Sequence, residues 1–356
     1  MKKYKLQGYL TLQYINMKIK LKIRRGKDRR DFVFQFRTDL AVEDREFYRE
    51  GKDGEVPGVE FKQYEKKNYS ITKVRILNSQ GEKNMRKPKG NYITVEVPEL
   101  KNSDDELKEE ISFLISREIK SLFNINELTK TLIVGLGNWN VTPDALGPKV
   151  VEKIIVTRQY FVTYEKEKDE ALSNVSAISP GVMGTTGIET GEIIKGIVEK
   201  TRPDLVIAID ALASRRMERV STTIQISDTG INPGSGVGNM RIGLNKEYLG
   251  VPVIAIGVPT VVDAATMVND TMNLIISSMK KEAKVGEEFY NLLENVSKED
   301  KYSLIREVLE PYMPNVLVTP KEIDSLITNL SFVLSNGINL AVHHGLTFKD
   351  LNSYIS

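Results

Sequence analysis

Two aspartates stand where an α/β protein often performs acid–base chemistry. Asp144 follows the loop after the apolar residues 131–134, and Asp210 ends the apolar run 204–210. If both runs are parallel strands, the two carboxyl groups emerge at the carboxyl edge of the sheet, where such sheets bind ligands. Neighbouring carboxylates can share a proton, one acting as base toward water and the other as acid toward a leaving amine. The pair therefore predicts hydrolysis without a covalent enzyme intermediate.

A structural role would also account for both residues. Asp144 stands where it would cap the helix that follows it, and Asp210 stands where it would simply end a strand. The pattern alone does not separate this interpretation from the catalytic one.

Three glycine-rich loops flank the same predicted edge, at residues 135–147, 179–187 and 232–239. Backbone N–H groups in such loops suit a phosphate and a peptide oxyanion equally well. A phosphate-ligand enzyme, such as a nucleoside phosphorylase, is therefore an alternative, although the only nearby basic residue is Lys149, just beyond the first loop. The predicted substrate-binding or oxyanion residues are Gly137, Asn138, Gly184, Thr185, Thr186, Gly236 and Gly238.

Nucleotide, triad and metal chemistry are less well supported. Residues 135–137 lack the third glycine of a dinucleotide fingerprint, and no P-loop sequence occurs. The only histidines, His343 and His344, resemble a helix end, which disfavours a Ser-His-Asp triad and leaves a Ser-Lys pair open. No cofactor is predicted, and a metal-dependent peptidase remains an alternative, because carboxylates bind hard divalent cations. Such a site would be built mainly from Asp144, Asp210, Asp228 and Asp263.

The elements that would position these residues alternate between strands and helices. Residues 131–134, 204–210 and 251–258 are apolar on both faces, and helical stretches such as 189–200 separate them. This pattern predicts an α/β fold with a mostly parallel central sheet flanked by helices.

Additional β and helical elements surround this predicted core. Residues 71–76 and 92–97 alternate in polarity and predict an antiparallel pair. The capping sequence 103–106 opens a helix through about Phe123, and residues 319–322 open a C-terminal helix toward Ser335.

Composition limits the chemistry and the compartment. The 356 residues include no cysteine, which excludes a thiol nucleophile, a disulfide framework and a cysteine-ligated zinc site. No uninterrupted apolar run reaches about 18 residues, so we expect no membrane-spanning segment and no membrane partner. The basic first residues lack the apolar centre of a secretory signal. A reducing, cytoplasmic location is expected.

The first 39 residues are strongly basic. They contain twelve Lys and Arg against three Asp, a net charge of +9, whereas the whole chain carries +2 and the remainder therefore −7. A basic arm on an acidic body predicts a nucleic-acid-binding tail or a removable segment. An over-long gene start, with Met17 as the initiator, is the alternative for residues 1–16.

Four segments resemble the germination proteases of spore-forming bacteria. They are residues 37–43 (RTDLAVE), 135–147 (GLGNWNVTPDALG), 179–193 (SPGVMGTTGIETGEI) and 209–239, which runs from IDALASR to PGSGVGN. The resemblance extends from about residue 37 to the C-terminus.

The resemblance implies an endopeptidase of the forespore or spore core that degrades small acid-soluble spore proteins during germination. The family is made as an inactive precursor, forms homotetramers and has a fold similar to that of hydrogenase maturation proteases and phosphorylases. In the maturation proteases, acids in the places of Asp144 and Asp210 bind metal. Their histidine ligand has no evident counterpart here, so the resemblance favours the paired-aspartate mechanism.

The resemblance also implies a cleavage site. Residues 38–41 (TDLA) look like the acid, apolar and alanine sites that the family cuts, so we expect self-cleavage between Asp39 and Leu40. The expected organisation is a pro-segment, residues 1–39, and a single α/β protease domain, residues 40–356. A further hypothesis is that the pro-segment binds DNA, which a peptide of residues 1–39 without salt-dependent binding to duplex DNA would exclude.

Overall fold

Nine strands form one sheet in the computed structural model, which describes residues 38–49, 54–163, 169–234, 241–282, 307 and 316–354. Residues 1–37 of the predicted pro-segment, Gly236 and Gly238 lie outside the described residues. The strands are β1 (Val59–Glu65), β2 (Ser70–Ile76), β3 (Gly90–Glu96), β4 (Thr131–Gly135), β5 (Val175–Ile178), β6 (Leu205–Ser214), β7 (Thr223–Ser227), β8 (Val253–Asp263) and β9 (Leu317–Val318).

The strand order is β1-β2-β3-β7-β8-β6-β4-β5, with β9 paired to β8. Neighbours among β8, β6, β4 and β5 are parallel, and the first three of these strands contain the predicted apolar runs. The predicted antiparallel pair is confirmed as β2 and β3, with Thr72 opposite Thr94.

The predicted α/β class is confirmed, but the parallel share of the sheet is smaller than expected. Three pairings are parallel and five are antiparallel. Two of the antiparallel pairings are made by β7, which pairs with β3 on one side and with β8 on the other. Strand β7 thereby joins the outer antiparallel strands to the parallel ones in a single sheet.

Helices cover both faces of the sheet. They are α1 (Ala41–Arg49), α2 (Ser79–Met85), α3 (Asp105–Leu122), α4 (Leu146–Val151), α5 (Arg158–Thr163), α6 (Met183–Thr186), α7 (Thr190–Thr201), α8 (Lys246–Leu249), α9 (Ala264–Glu282), α10 (Ile323–Val342) and α11 (Phe348–Tyr354). Apolar residues of α3, α4 and α10 form the main core with one face of the sheet, and residues of α7 and α8 form a second core on the other face.

The two predicted helix starts are displaced slightly. Helix α3 is capped by Asp104 instead of Ser103, because the Asp104 carboxylate accepts a hydrogen bond from the backbone N–H of Leu107 at 2.9 Å. Helix α10 begins at Ile323 and continues past Ser335 to Val342.

Helix α10 is the one helix in the described part of the chain with the length and composition of a membrane span, and 78% of that stretch is buried inside the protein. Its apolar side chains belong to the main core. This packing accounts for its apolar composition.

Candidate active site

Asp210 lies inside β6 and not at its end, contrary to the prediction. Strand β4 stops at Gly135, which pairs with Ile209, whereas β6 continues through Ser214. Beyond Ile209, the described residues provide no strand neighbour for β6 on the β4 side. Because the carboxyl edge of the sheet is stepped at this point, Asp210 stands at the start of a free strand edge.

Asp144 is held close to the end of β4 by a tightly folded loop. It ends a 3-10 turn, Thr142–Asp144, so the predicted helix begins only afterwards, at Leu146. The backbone N–H of Asn138 donates to the Asp144 carbonyl oxygen at 3.0 Å. Gly137 has φ +114, and a Cβ there would lie 1.9 Å from that same oxygen. The predicted residues Gly137 and Asn138 therefore position Asp144.

The two carboxyl groups interact electrostatically. Asp210 is 6% exposed, and burial raises its pKa well above the ordinary value, with further increases from the charges of Asp144 and Asp39. The Ala211 backbone N–H partly opposes this increase. Burial raises the pKa of Asp144 to about 6. The structure thus brings together two acids whose protonated forms persist toward neutral pH, as acid–base chemistry requires.

The predicted cleavage site lies on the free edge of β6. The backbone N–H of Asp39 donates to the carbonyl oxygen of Ala213 at 3.0 Å, and the N–H of Ala213 donates to the Asp39 carboxylate at 2.9 Å. Leu40 is completely buried and packs with Val42, Leu212 and Ile231. The segment is therefore docked on the sheet in the manner of a bound peptide strand.

Helix α1, which follows the cleavage site, is tied to the loop after β6. The Glu43 carboxylate accepts hydrogen bonds from the backbone N–H groups of Arg215 and Arg216 at 2.7 and 3.1 Å. It also accepts one from the hydroxyl of Thr38, whose oxygen in turn accepts the N–H of Leu40 at 3.0 Å. These contacts fix the chain on both sides of the Asp39–Leu40 bond.

Two further polar residues contact this bond, and sequence reasoning missed both. Lys87 Nζ lies 3.0 Å and Gln225 Nε2 lies 2.9 Å from the carbonyl oxygen of Asp39. A glutamine among the alternating apolar residues of β7 was an available signal. Nothing in the turn around Lys87 distinguished that residue from its basic neighbours.

Gln225 and Asp210 lie at the same level of the sheet, two strands apart. Gln225 pairs with Gly257 of β8, which pairs with Asp210 of β6. The two side chains therefore rise from the same face of the sheet, roughly 10 Å apart at their Cα atoms. Gly257 contributes no side chain between them, and Leu212 fills the space beside it.

The second glycine loop follows β5 at the same edge of the sheet, but the described hydrogen bonds of Thr185 and Thr186 are local. The hydroxyl groups of Thr185 and Thr186 both donate to the carbonyl oxygen of Val182. Gly184 has open space around it. A substrate-binding role for these residues stays a prediction, as it does for Gly236 and Gly238.

Both histidines lie at the end of α10, as predicted, and His343 has a structural role. Its Nδ1 accepts from the backbone N–H of Ser173 at 3.1 Å, and its Nε2 lies 2.9 Å from the carbonyl oxygen of Ile155. Burial lowers the pKa of His343. The ring is therefore a neutral link between backbone segments.

Two of the acids considered as metal ligands are engaged elsewhere. Asp228 accepts from the backbone and side-chain N–H groups of Asn91, and Asp263 accepts from the backbone N–H of Thr266. Within the described ranges, no three His, Asp or Glu side chains are grouped in a way that could hold a metal ion.

The raised pKa of Asp144 predicts a pH dependence of stability. A carboxyl group with a raised pKa binds its proton more tightly in the folded state. Its contribution is therefore complete below pH 3.8 and is lost as the pH rises through about 6. We expect Asp144→Asn to abolish this contribution, so that its Tm relative to wild type increases between pH 4 and about 6.5. Thermal unfolding of both proteins across this range is the measurement. A constant difference in Tm would contradict the raised pKa.

A docked peptide segment on a free strand edge, with two interacting acids close to it, is an arrangement that suits a peptidase, a hydrolase of peptide bonds. The family model described as germination protease matches residues 37–295 and 282–355. The chain belongs to the germination protease family, which confirms the resemblance found in the sequence.

Known relatives agree with this membership. A germination protease of Clostridium tetani is 52% identical over 320 residues, covering 90% of this chain and 99% of that protein. The corresponding protein of Caldanaerobacter subterraneus is 53% identical over 323 residues, covering 91% and 99%. One from Bacillus cereus is 44% identical, covering 90% and 97%. The phosphorylase alternative is not favoured by these relatives.

Among solved structures, a NiFe hydrogenase maturation protease from Thermococcus kodakarensis is 18% identical, with a TM-score of 0.26. The match covers 54% of this chain and 96% of that one.

Proposed function

We propose that this germination protease is an aspartate-dependent endopeptidase that is made as a precursor and cleaves itself between Asp39 and Leu40. Its later substrates are then the small acid-soluble spore proteins, cut at sites of the same kind during germination in the spore core. The observation that carries the proposal is the docking of the Asp39–Leu40 segment on the β6 edge next to Asp210.

The environments of the two aspartates support different roles, one as general acid and the other as general base. Asp210 is the more deeply buried, and its pKa is raised by burial and by the charges of Asp144 and Asp39. It is therefore suited to hold the proton and to give it to the leaving amine of Leu40. Asp144, with a pKa of about 6, is suited to accept a proton from the attacking water.

An oligomer is part of the proposal. Apolar side chains of α9 are exposed, among them Leu274, Ile275 and Met279. Exposed apolar surface of this kind is typical of an interface. It supports the proposed homotetramer, which light scattering of the purified protein would test.

Self-cleavage is tested by the intact mass of the purified precursor over time at mildly acidic pH. We expect the loss of residues 1–39 and a new N-terminus at Leu40. The matched variant is Leu40→Asp, which places a charge in the apolar site between Leu212 and Ile231 and should stop cleavage there. A stable wild-type precursor, or cleavage at another bond, would refute the proposed site.

A further inference from the structure

The carbonyl oxygen of Asp39 has two side-chain donors. Lys87 Nζ lies 3.0 Å from it, and Gln225 Nε2 lies 2.9 Å from it. Both distances are those of good hydrogen bonds. Two donors that already bind the ground-state carbonyl oxygen, one of them a cation, are in place to bind it more strongly when it gains negative charge.

The Gln225 amide spans the bond. Its Oε1 accepts from the backbone N–H of Ala41 at 2.7 Å, while its Nε2 donates to the carbonyl oxygen of Asp39. Because one partner is a donor only and the other an acceptor only, the orientation of the amide is determined. Gln225 therefore binds backbone groups on both sides of the Asp39–Leu40 peptide unit.

Lys87 is held in place by an acid from the same region. Its Nζ lies 3.3 Å from Asp44 Oδ2, and its side chain is only 15% exposed. A cation with so little access to water acts on a nearby charge far more strongly than one on the surface. The Asp44 contact keeps the ammonium group directed at the Asp39 carbonyl.

We infer that Lys87 and Gln225 form the oxyanion site of this peptidase. They bind the carbonyl oxygen of Asp39 during self-cleavage, and that of the residue before the cut in any peptide later bound on the β6 edge. The inference rests on the proposed function and adds to it the groups that stabilise the transition state.

The oxygen of a water molecule bonds to the carbonyl carbon of Asp39, and Asp144, the proposed base, takes a proton from that water. The C=O electron pair moves onto the oxygen held by Lys87 and Gln225. When the tetrahedral centre collapses, the bond to the Leu40 nitrogen breaks and the acid protonates that nitrogen. The products are a carboxyl group on Asp39 and an amine on Leu40.

The test uses enzyme expressed from Leu40 onward, because the variants are expected to process themselves too slowly, and a synthetic peptide of residues 34–45 as substrate. We expect Lys87→Met and Gln225→Met each to lower kcat about 10²- to 10³-fold, with little change in KM, because the donors act mainly on the transition state. The matched controls are Lys89→Met, an exposed neighbour, and Gln63→Met, an exposed glutamine of β1. Both controls should retain wild-type kcat.

A second measurement separates catalysis from anchoring. A peptide that ends in an aspartyl aldehyde binds as its tetrahedral hydrate, and its affinity should fall in parallel with kcat in both variants. Unchanged kcat, or an equal loss of affinity for an uncleavable substrate peptide, would overturn the inference. If wild type itself does not cut between Asp39 and Leu40, the proposed function fails instead. Wild-type cleavage with fully active variants would remove only the oxyanion site.

Discussion

Replacing Asp210 by Asn should give a folded protein that no longer cleaves peptide bonds. Asparagine keeps the shape of the side chain but cannot deliver a proton to a leaving amine. Loss of a positioned acid costs about 10² to 10⁴ in rate, so neither self-cleavage nor cleavage of an added peptide should be measurable on the wild-type timescale. Asp144→Asn should have an effect of the same order.

Stability should respond in the opposite direction. Burial raises the pKa of Asp210, so the folded state is penalised once the pH is high enough to ionise the group in the unfolded chain. A neutral asparagine avoids that penalty, and the Tm of Asp210→Asn at pH 7 should equal or exceed that of wild type. Simultaneous gain of stability and loss of activity is typical of a functional group in a strained environment.

The matched control is Asp204→Asn. Asp204 lies just before the other end of β6, is exposed, and accepts a hydrogen bond from the backbone N–H of Lys130 at 2.8 Å. The same change of charge there should leave self-cleavage intact. Intact mass over time and thermal unfolding are measured for all three variants. Normal processing by Asp210→Asn or Asp144→Asn would remove that residue from the mechanism and favour the metal or Ser-Lys alternatives.

Replacing Arg219 by Met should cost about 3–5 kcal/mol in the free energy of unfolding, because it leaves the buried Glu43 carboxylate without its counter-charge. The Arg219 side chain is 9% exposed and lies 2.6 Å from Glu46, 2.8 Å from Glu96 and 3.2 Å from Glu43. Since Glu43 and Glu46 belong to α1, the variant should also loosen the helix that follows the cleavage site.

Arg216→Met is the matched control for this effect. Arg216 lies in the same loop and pairs with Glu46 at 3.3 Å, but its side chain is 51% exposed. An exposed pair of this kind contributes about 0–1 kcal/mol. Denaturant unfolding of both variants measures the difference. Similar losses in the two would mean that burial of the Arg219 network contributes little.

The sequence predicted the parallel strands well, because strands buried on both faces have uninterrupted apolar runs. It placed the end of β6 at Asp210, since a charged residue normally stops such a run. The strand in fact continues through Ala211, Leu212 and Ala213 to Ser214, and no local pattern indicates that its neighbour β4 ends earlier. The free edge at the site arises because β6 extends beyond β4, and neither strand's sequence alone indicates that difference in length.

The site was predictable only in part, for a similar reason. Asp144 follows an apolar run in the sequence and Asp210 ends one, so both could be found from the sequence pattern. Lys87 and Gln225 reach the Asp39 carbonyl from 48 and 186 residues away. Contacts over such separations depend on sheet order and register, which a sequence pattern does not encode.

The burial of Leu40 has a consequence for the direction of the proposed reaction. In the intact chain its nitrogen belongs to a neutral amide at the start of α1. Hydrolysis would turn this nitrogen into an ammonium group at the positive end of the helix dipole, where a positive charge is unfavourable. A buried position that held an uncharged amide would then hold a charge of the wrong sign for that helix end. The first cut would therefore be difficult to reverse. Departure of the cleaved segment would then expose the β6 edge to other chains.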